Sequence, residues 1–413
     1  MKMDIRGDVL QCLETLKGEW LTAPEDFPNY LEEISKEKKD QNEAYLRKVT
    51  EEFHDQTKHL PRLPIGRKKW RKKTLELIFR VLYEENVIGI HNAMQPSEID
   101  AFYQELMAFL KQVRHFSPEL RFDEIGQAIR NYIVYAMFKV IHLVPTGFSN
   151  AGFGYSMLYP FTDNYIDGSK PSSTEKQKYN QLIRDKLLGK KVRPQCKHHK
   201  KTCDLLQAIA SDYPREKDDR IYTLLLMMLE AQEESLRQQN QQFTLSEEER
   251  LNISLFKGGV SVLVDRFLVN KELTPADFHF YLGFGFFLQL ADDLQDIKED
   301  SGKGYQTLFT VDLTKEREEK LVNKLFHFLY RIMDTYSAEN DTFKNFVLAS
   351  SNQLIYTSLC GSKEFFTPEY QRRIEMFLPI TMAFLETTRA NSLERQTELV
   401  QADYIKVLDQ LIQ

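Results

Sequence analysis

The sequence predicts an all-α protein, and three observations carry that expectation. Apolar residues recur at helical spacing through most of the chain. The 14 prolines and 17 glycines among 413 residues fall in clusters between those periodic segments. No alternating apolar–polar run bounded by turn pairs marks a strand, and no repeat of fixed period appears.

The elements follow in chain order. The first sixty or so residues are charge-rich and end in LPRLPIG, a proline-bearing break. Residues 1–71 are therefore read as an N-terminal helical extension and 72–413 as one large helical domain. Within RKKWRKK (67–73) the basic residues are expected to form a solvated linker, with peripheral contact to an anionic membrane surface as the alternative. PSEIDAFYQELMAFLKQVRHF should open at Ser97, with Asp100 three residues on in the manner of a capping box. EIGQAIRNYIVYAMFKVIHLV, DRIYTLLLMMLEAQEESLRQQN, ERLNISLFKGGVSVLVDRFLV and PADFHFYLGFGFFLQLADDLQDIKED complete the helices of the body.

Composition narrows the classes of function. A net charge of −6 argues against general nucleic-acid binding. MKMDIRGDVLQCLETLKGEW lacks the basic, apolar and cleavage regions of a signal peptide. No run approaches the roughly 20 apolar residues that span a bilayer. The four cysteines are scattered, which is no disulfide framework. A soluble cytoplasmic protein, monomeric or homodimeric, is expected.

The informative stretch is FFLQLADDLQDIKED. An apolar helix runs here into a block of carboxylates, where like charges four residues apart repel. Positions i, i+4 and i+8 place Asp292, Asp296 and Asp300 on one helical face over roughly 12 Å. Asp293 lies about 100° round from Asp292. Such a density of hard oxygens suits Mg2+, which takes one or two carboxylates and completes its shell with water and phosphate. A solvated acidic helix end is the plainer reading, but FYLGFGFFLQL upstream is apolar nearly all round and implies burial. A second wall is available in YSMLYPFTDNYIDGSKP, where Asp163 and Asp167 stand at i, i+4 behind another aromatic run. Counting back along each helix puts Leu288, Gly285 and Tyr281, and Tyr159, Ser156 and Gly152, toward a shared pocket. Pro160 should break or kink the second helix.

Both acidic stretches resemble the aspartate-rich motifs of the class I isoprenoid synthases, the superfamily of trans-prenyltransferases, squalene and phytoene synthases and terpene synthases. DNYID is similar to the first motif, D-D-x-x-D, with Asn164 at its second aspartate. LQLADDLQDIKED is similar to the second motif, in its D-D-x-x-D form or as D-x-x-E-D over 296–300. KGG at 257–259 resembles the lysine motif that touches diphosphate. The resemblance covers roughly 131–310. It implies a barrel of helices around a deep apolar pocket, with the two aspartate rows facing across its mouth. It further implies three Mg2+ ions held by Asp163, Asp167, Asp292, Asp293, Asp296 and Asp300, with Asp163, Asp167, Asp292 and Asp296 catalytic. The substrate implied is an allylic prenyl diphosphate, bound by Lys257, Tyr159, Ser156, Tyr281 and Gly285.

Departures from the family pattern favour one reaction. Chain elongation uses an arginine pair after the first motif, yet GSKPSS follows DNYID here. GKKVRP (189–194) resembles a second-substrate element but lies on the wrong side of the motif. Ionisation of a single prenyl diphosphate by a terpene synthase needs only what is present; head-to-head condensation and chain elongation are the alternatives. A non-catalytic helical lipid-binding protein is the other class, and it leaves twin carboxylate rows unexplained. A di-metal carboxylate bundle would need two Glu-x-x-His motifs, and only Glu51–His54 fits. CKHHKKTC (196–203) is read as a basic surface loop in preference to a zinc site. Arg266 is expected either at the diphosphate or paired with Asp265.

Overall fold

The computed structural model describes residues 4–61, 63–168, 171–239, 242–398 and 401–412, without the side chains of Asp167, Arg389 and residues 392–402. Its regular structure is helical, and no strand occurs among the described residues. The first half contains α1 (Ile5–Leu21), α2 (Lys36–Lys58), α3 (Pro64–Glu84), α4 (Pro96–Phe116), α5 (Phe122–Ile141), α6 (Asn150–Asp167), α7 (Ser173–Leu187) and α8 (Lys197–Asp212). The second contains α9 (Arg220–Ser235), α10 (Glu247–Asn270), α11 (Pro275–Gln295), α12 (Ile297–Lys303), α13 (Lys315–Thr335) and α14 (Asp341–Gly361). Three further helices, α15 (Pro368–Glu375), α16 (Met382–Glu398) and α17 (Gln401–Leu411), close the chain.

The core is organised on α10 and α11. α11 opens with Thr274 and Asp277 in a reciprocal capping box and Pro275 at its first position. Its Phe280, Tyr281, Leu282, Phe286, Phe287 and Leu290 are fully buried, which accounts for its apolar character on every side. α10 and α11 touch through backbone. A Cβ added at Gly285 would stand 2.1 Å from the Gly258 carbonyl oxygen, and one at Gly258 would stand 2.4 Å from the Gly285 carbonyl. Only glycine permits that approach.

α1 belongs to the same core, although it lies within the 1–71 segment. Ile5, Val9, Leu13, Leu16 and Trp20 form its buried stripe. Leu13 packs on Gly259 and Leu16 on Gly283, while the Trp20 ring meets Phe286 edge-on at 5.3 Å. α2 is tied to the C-terminal region by Asn42, which donates to the Pro379 carbonyl at 2.8 Å. The basic stretch 67–73 is not a linker. It forms the opening turns of α3, started by Pro64, with Trp70 buried and donating to the Gln56 carbonyl at 2.7 Å. Arg62, in the expected break, lies outside the described residues.

Other boundaries differ from expectation for identifiable reasons. α4 is capped at Gln95, two residues before Ser97, because Pro96 takes the first helical position and Glu98 accepts from the Gln95 amide at 2.7 Å. α6 runs through Pro160 without ending. Among the described residues, no helix is long and apolar enough to cross a membrane.

Candidate active site

Eight helices, α5 to α11 and α14, enclose a cavity of about 400 Å³. That size falls in the range of small-molecule sites. Its inner wall is apolar, supplied by Leu158, Leu206, Leu225, Leu229, Val262 and Leu288. Its mouth is polar. Arg130, Tyr159, Asp292 and Gln295 line the cavity and are solvent-exposed, with Lys257 half-buried beside them. The helical period of α10 and α11 turns one face of each toward the cavity, while their remaining faces serve the core.

Asp163 and Asp292 reach the cavity from different helices. Asp163, on α6, is 6 % exposed and held by two donors: Gln232 Nε2 at 2.6 Å and Thr162 Oγ1 at 3.0 Å. Its neighbour Asn164 donates to Gln127 Oε1 at 2.9 Å, which ties α6 to α5. Asp292, on α11, is accessible to water through the mouth yet closely surrounded by protein. Burial therefore raises its pKa, helped by the negative charge of Asp296 and opposed by Lys257 and Arg130.

The carboxylate row is less regular than its spacing implies. α11 ends at Gln295, and Asp296 is a junction with φ −100° before α12 begins. Ser362 Oγ donates to the Leu294 and Gln295 carbonyls at 2.8 and 3.1 Å, so these acceptors are diverted from the next turn. Asp296 and Asp300 are half-buried and do not line the cavity. Burial raises both, Asp300 to about 6, with the Asp296 charge adding to the effect on Asp300. Asp293 turns away from the cavity. It is 5 % exposed, accepts from Gln289 Nε2 at 2.9 Å and Ser254 Oγ at 3.5 Å, and is pushed up to about 7 by burial. Lys257, Arg130 and Lys303 offset the charge of the row only in part, and burial still holds its carboxyls above their ordinary values, which is the condition a divalent cation relieves.

Of the other expected site residues, Tyr159, Lys257 and Gly285 line the cavity. Ser156 and Tyr281 do not. On α6 the lining residues are Tyr155, Leu158, Tyr159, Thr162 and Asp163, a stripe centred near Tyr155 and Thr162 that takes in Asp163 at its edge and leaves Gly152 and Ser156 outside. Tyr281 lies farther along α11, where its hydroxyl and His142 Nε2 are 2.7 Å apart in a fully buried polar cluster with Tyr336 and Asp277. Asp167 ends α6, and its side chain lies outside the described residues.

Arg266 reaches neither the cavity nor Asp265; it donates from Nε to Asp277 Oδ1 at 3.0 Å. The 196–203 segment is no surface loop. Cys196 caps α8 by accepting from the His199 amide at 3.4 Å, and His198 stacks between Phe161 and Tyr165. Lys197 and Lys201 both pair with Glu119.

Sequence reasoning missed Arg130, Gln232 and Asp265. Arg130 had a signal: Gln127, Arg130, Asn131 and Val134 share one face at i, i+3, i+4 and i+7, and all four line the cavity. Gln232 had none, because the segment around it is rich in Glu and Gln.

The donor set was tested against Mg2+. Three carboxylates line the cavity, Asp163, Asp265 and Asp292. Asp163 and Asp292 match the one or two that this ion takes when phosphate completes its shell, while Asp265 stands about two helical turns from Lys257 along α10. Among the described residues, no group of three or more His, Cys, Asp or Glu stands together as a ready metal site. The residues thus fit an ion that arrives with a phosphate ligand. Comparison with known proteins yields no relative: no family model, no curated protein and no solved structure matches the chain.

Proposed function

We propose that the chain is a Mg2+-dependent enzyme of isoprenoid biosynthesis that ionises an allylic prenyl diphosphate, working as a terpene synthase that releases pyrophosphate. The observation that carries this reading is the polarity of one cavity, with Arg130, Lys257 and Asp292 toward its mouth, the buried Asp163 on its lining, and an apolar wall behind them. The eight helices around it are then a barrel of the isoprenoid-synthase kind.

Each residue has a task in that reading. Lys257 and Arg130 bind diphosphate oxygens through charge-assisted hydrogen bonds. Asp163 and Asp292 hold Mg2+, which when bound supplies Lewis-acid stabilisation of charge on the departing diphosphate. Gln232 keeps the Asp163 carboxylate in one orientation before the ligand arrives. Leu158, Leu229, Val262 and Leu288 exclude water from the allylic cation, and the rings of Tyr155 and Tyr159 offer it π faces.

A non-catalytic lipid carrier would use the same apolar wall but has no need of Lys257, Arg130, Asp163 and Asp292 on the same cavity. Incubation with prenyl diphosphates of ten to twenty-five carbons and Mg2+, with product mass and pyrophosphate measured, tests the reading. A hydrocarbon or alcohol of the substrate's own carbon count is expected. A product of twice that count would establish head-to-head condensation, and lengthening by isopentenyl diphosphate would establish chain elongation. Absence of pyrophosphate release with every substrate would overturn the enzymatic reading.

A further inference from the structure

We propose that Asp265 makes the inner end of the cavity a second recognition point, for a neutral oxygen, a hydroxyl or carbonyl, at the far end of an apolar chain. The inference rests on the reading that the mouth takes a diphosphate.

α10 lays three polar side chains along the cavity at i, i+4 and i+8: Lys257, Ser261 and Asp265. First and last are separated by roughly 12 Å along the helix axis. Lys257 stands toward the mouth, so Asp265 meets the part of a ligand most distant from its diphosphate.

Asp265 is 5 % exposed, and its Oδ1 has no hydrogen-bond partner. The polar groups around it are committed elsewhere. Ser261 Oγ donates to the Gly258 carbonyl at 2.7 Å, and Tyr155 donates to the Ser261 carbonyl at 2.8 Å. The adjacent Arg266 is engaged with Asp277 and Asn270. Burial raises the Asp265 carboxyl well above its ordinary range, with no cation opposing the shift.

A buried carboxyl without a partner is costly, and a leucine would complete this wall without that cost. Kept neutral, the group is one O–H donor with acceptor capacity left over. That chemistry suits a hydroxyl or carbonyl and rejects an anion. A chain ending in plain methyl groups would leave the carboxyl unpaired on binding, whereas one ending in an oxygen would pair it.

Calorimetric binding in Mg2+ tests the inference with two probes that resist ionisation: a fifteen-carbon prenyl thiolodiphosphate and its counterpart hydroxylated at the terminal carbon. The parent protein is expected to prefer the hydroxylated probe about tenfold, equivalent to about 1.4 kcal/mol. Asp265→Leu should abolish or invert that preference, and Asp265→Asn should retain most of it. Melting without ligand gives a separate readout, and Asp265→Leu should melt at or above the parent temperature. The same preference ratio in parent and Asp265→Leu, or a clear fall in melting temperature for Asp265→Leu, overturns the assignment. If the parent binds neither probe, the diphosphate reading of the mouth fails, and this inference falls with it.

Discussion

Gln232 donates from Nε2 to Asp163 Oδ1 at 2.6 Å, so α9 fixes the carboxylate that α6 presents to the cavity. The pairing makes Asp163 a prepared group whose orientation does not wait for a ligand. Asp163→Asn and Asp292→Asn are each expected to lower Mg2+-dependent turnover about a hundredfold, about 2.7 kcal/mol of transition-state stabilisation. Gln232→Leu should cost about tenfold, because the carboxylate remains but its aim is lost. Steady-state kinetics at saturating Mg2+ measures all three. Unchanged turnover in correctly folded Asp163→Asn would remove the metal assignment.

The two cations of the mouth should act on binding. Lys257→Ala and Arg130→Ala are each expected to raise KM by about tenfold, the value of a hydrogen bond to a charged group. Turnover should fall as well, while the product stays the same, since the apolar wall that shapes it is supplied by other residues. Kinetics together with product analysis checks this. Parent-like constants in both variants would place the diphosphate elsewhere.

Gly285→Ala should destabilise the protein by about 3 kcal/mol, the upper range of overpacking. Its Cβ would meet backbone, which cannot rotate aside as a side chain can. Chemical denaturation reads the loss directly. A variant as stable as the parent would show that α10 and α11 can separate.

Glu318 gives a pH signature independent of any ligand. It is fully buried, one oxygen has no partner, and burial raises it from 4.5 to about 7 against the pull of Arg317. Below pH 4.5 the carboxyl is protonated in both folded and unfolded chains and contributes nothing to the pH dependence. As pH rises toward 7 the unfolded chain ionises first, and the fold loses roughly 3 kcal/mol. Glu318→Gln cannot ionise, so it should melt higher than the parent at pH 8, with the difference vanishing near pH 4. An equal gap at both pH values would mean that packing, and not ionisation, sets the effect.

Much of the helical architecture was legible because its signals are local. The apolar run of α11 and the placement of Tyr159, Gly285 and Asp292 followed from helical period, while Lys257 was singled out only by the resemblance of KGG to a family motif. What failed depended on partners distant in sequence. Ser362 lies 66 residues from Asp296 (362 − 296), yet it takes the carbonyls that end α11. Ser156 shares a face with Asp163, but the cavity takes in only the Asp163 edge of that face, because α6 packs against α5 and α8. The cap of α8 was hidden because cysteine seldom stands where Ser, Thr, Asp or Asn are expected.

The glycine contact between α10 and α11 also bears on how this chain can change. Where Gly258 meets Gly285, no side chain stands between the two backbones to trim or enlarge. Lys257 and Asp292 sit on that joint's two members and move only if it does. Leu158, Leu206, Leu225 and Leu229 stand on the opposite helices, where substitution alters volume without touching the joint. The cavity is therefore adjustable at these positions on α6, α8 and α9: descendants of this sequence can acquire new ligand shapes there while Lys257 and Asp292 keep their places.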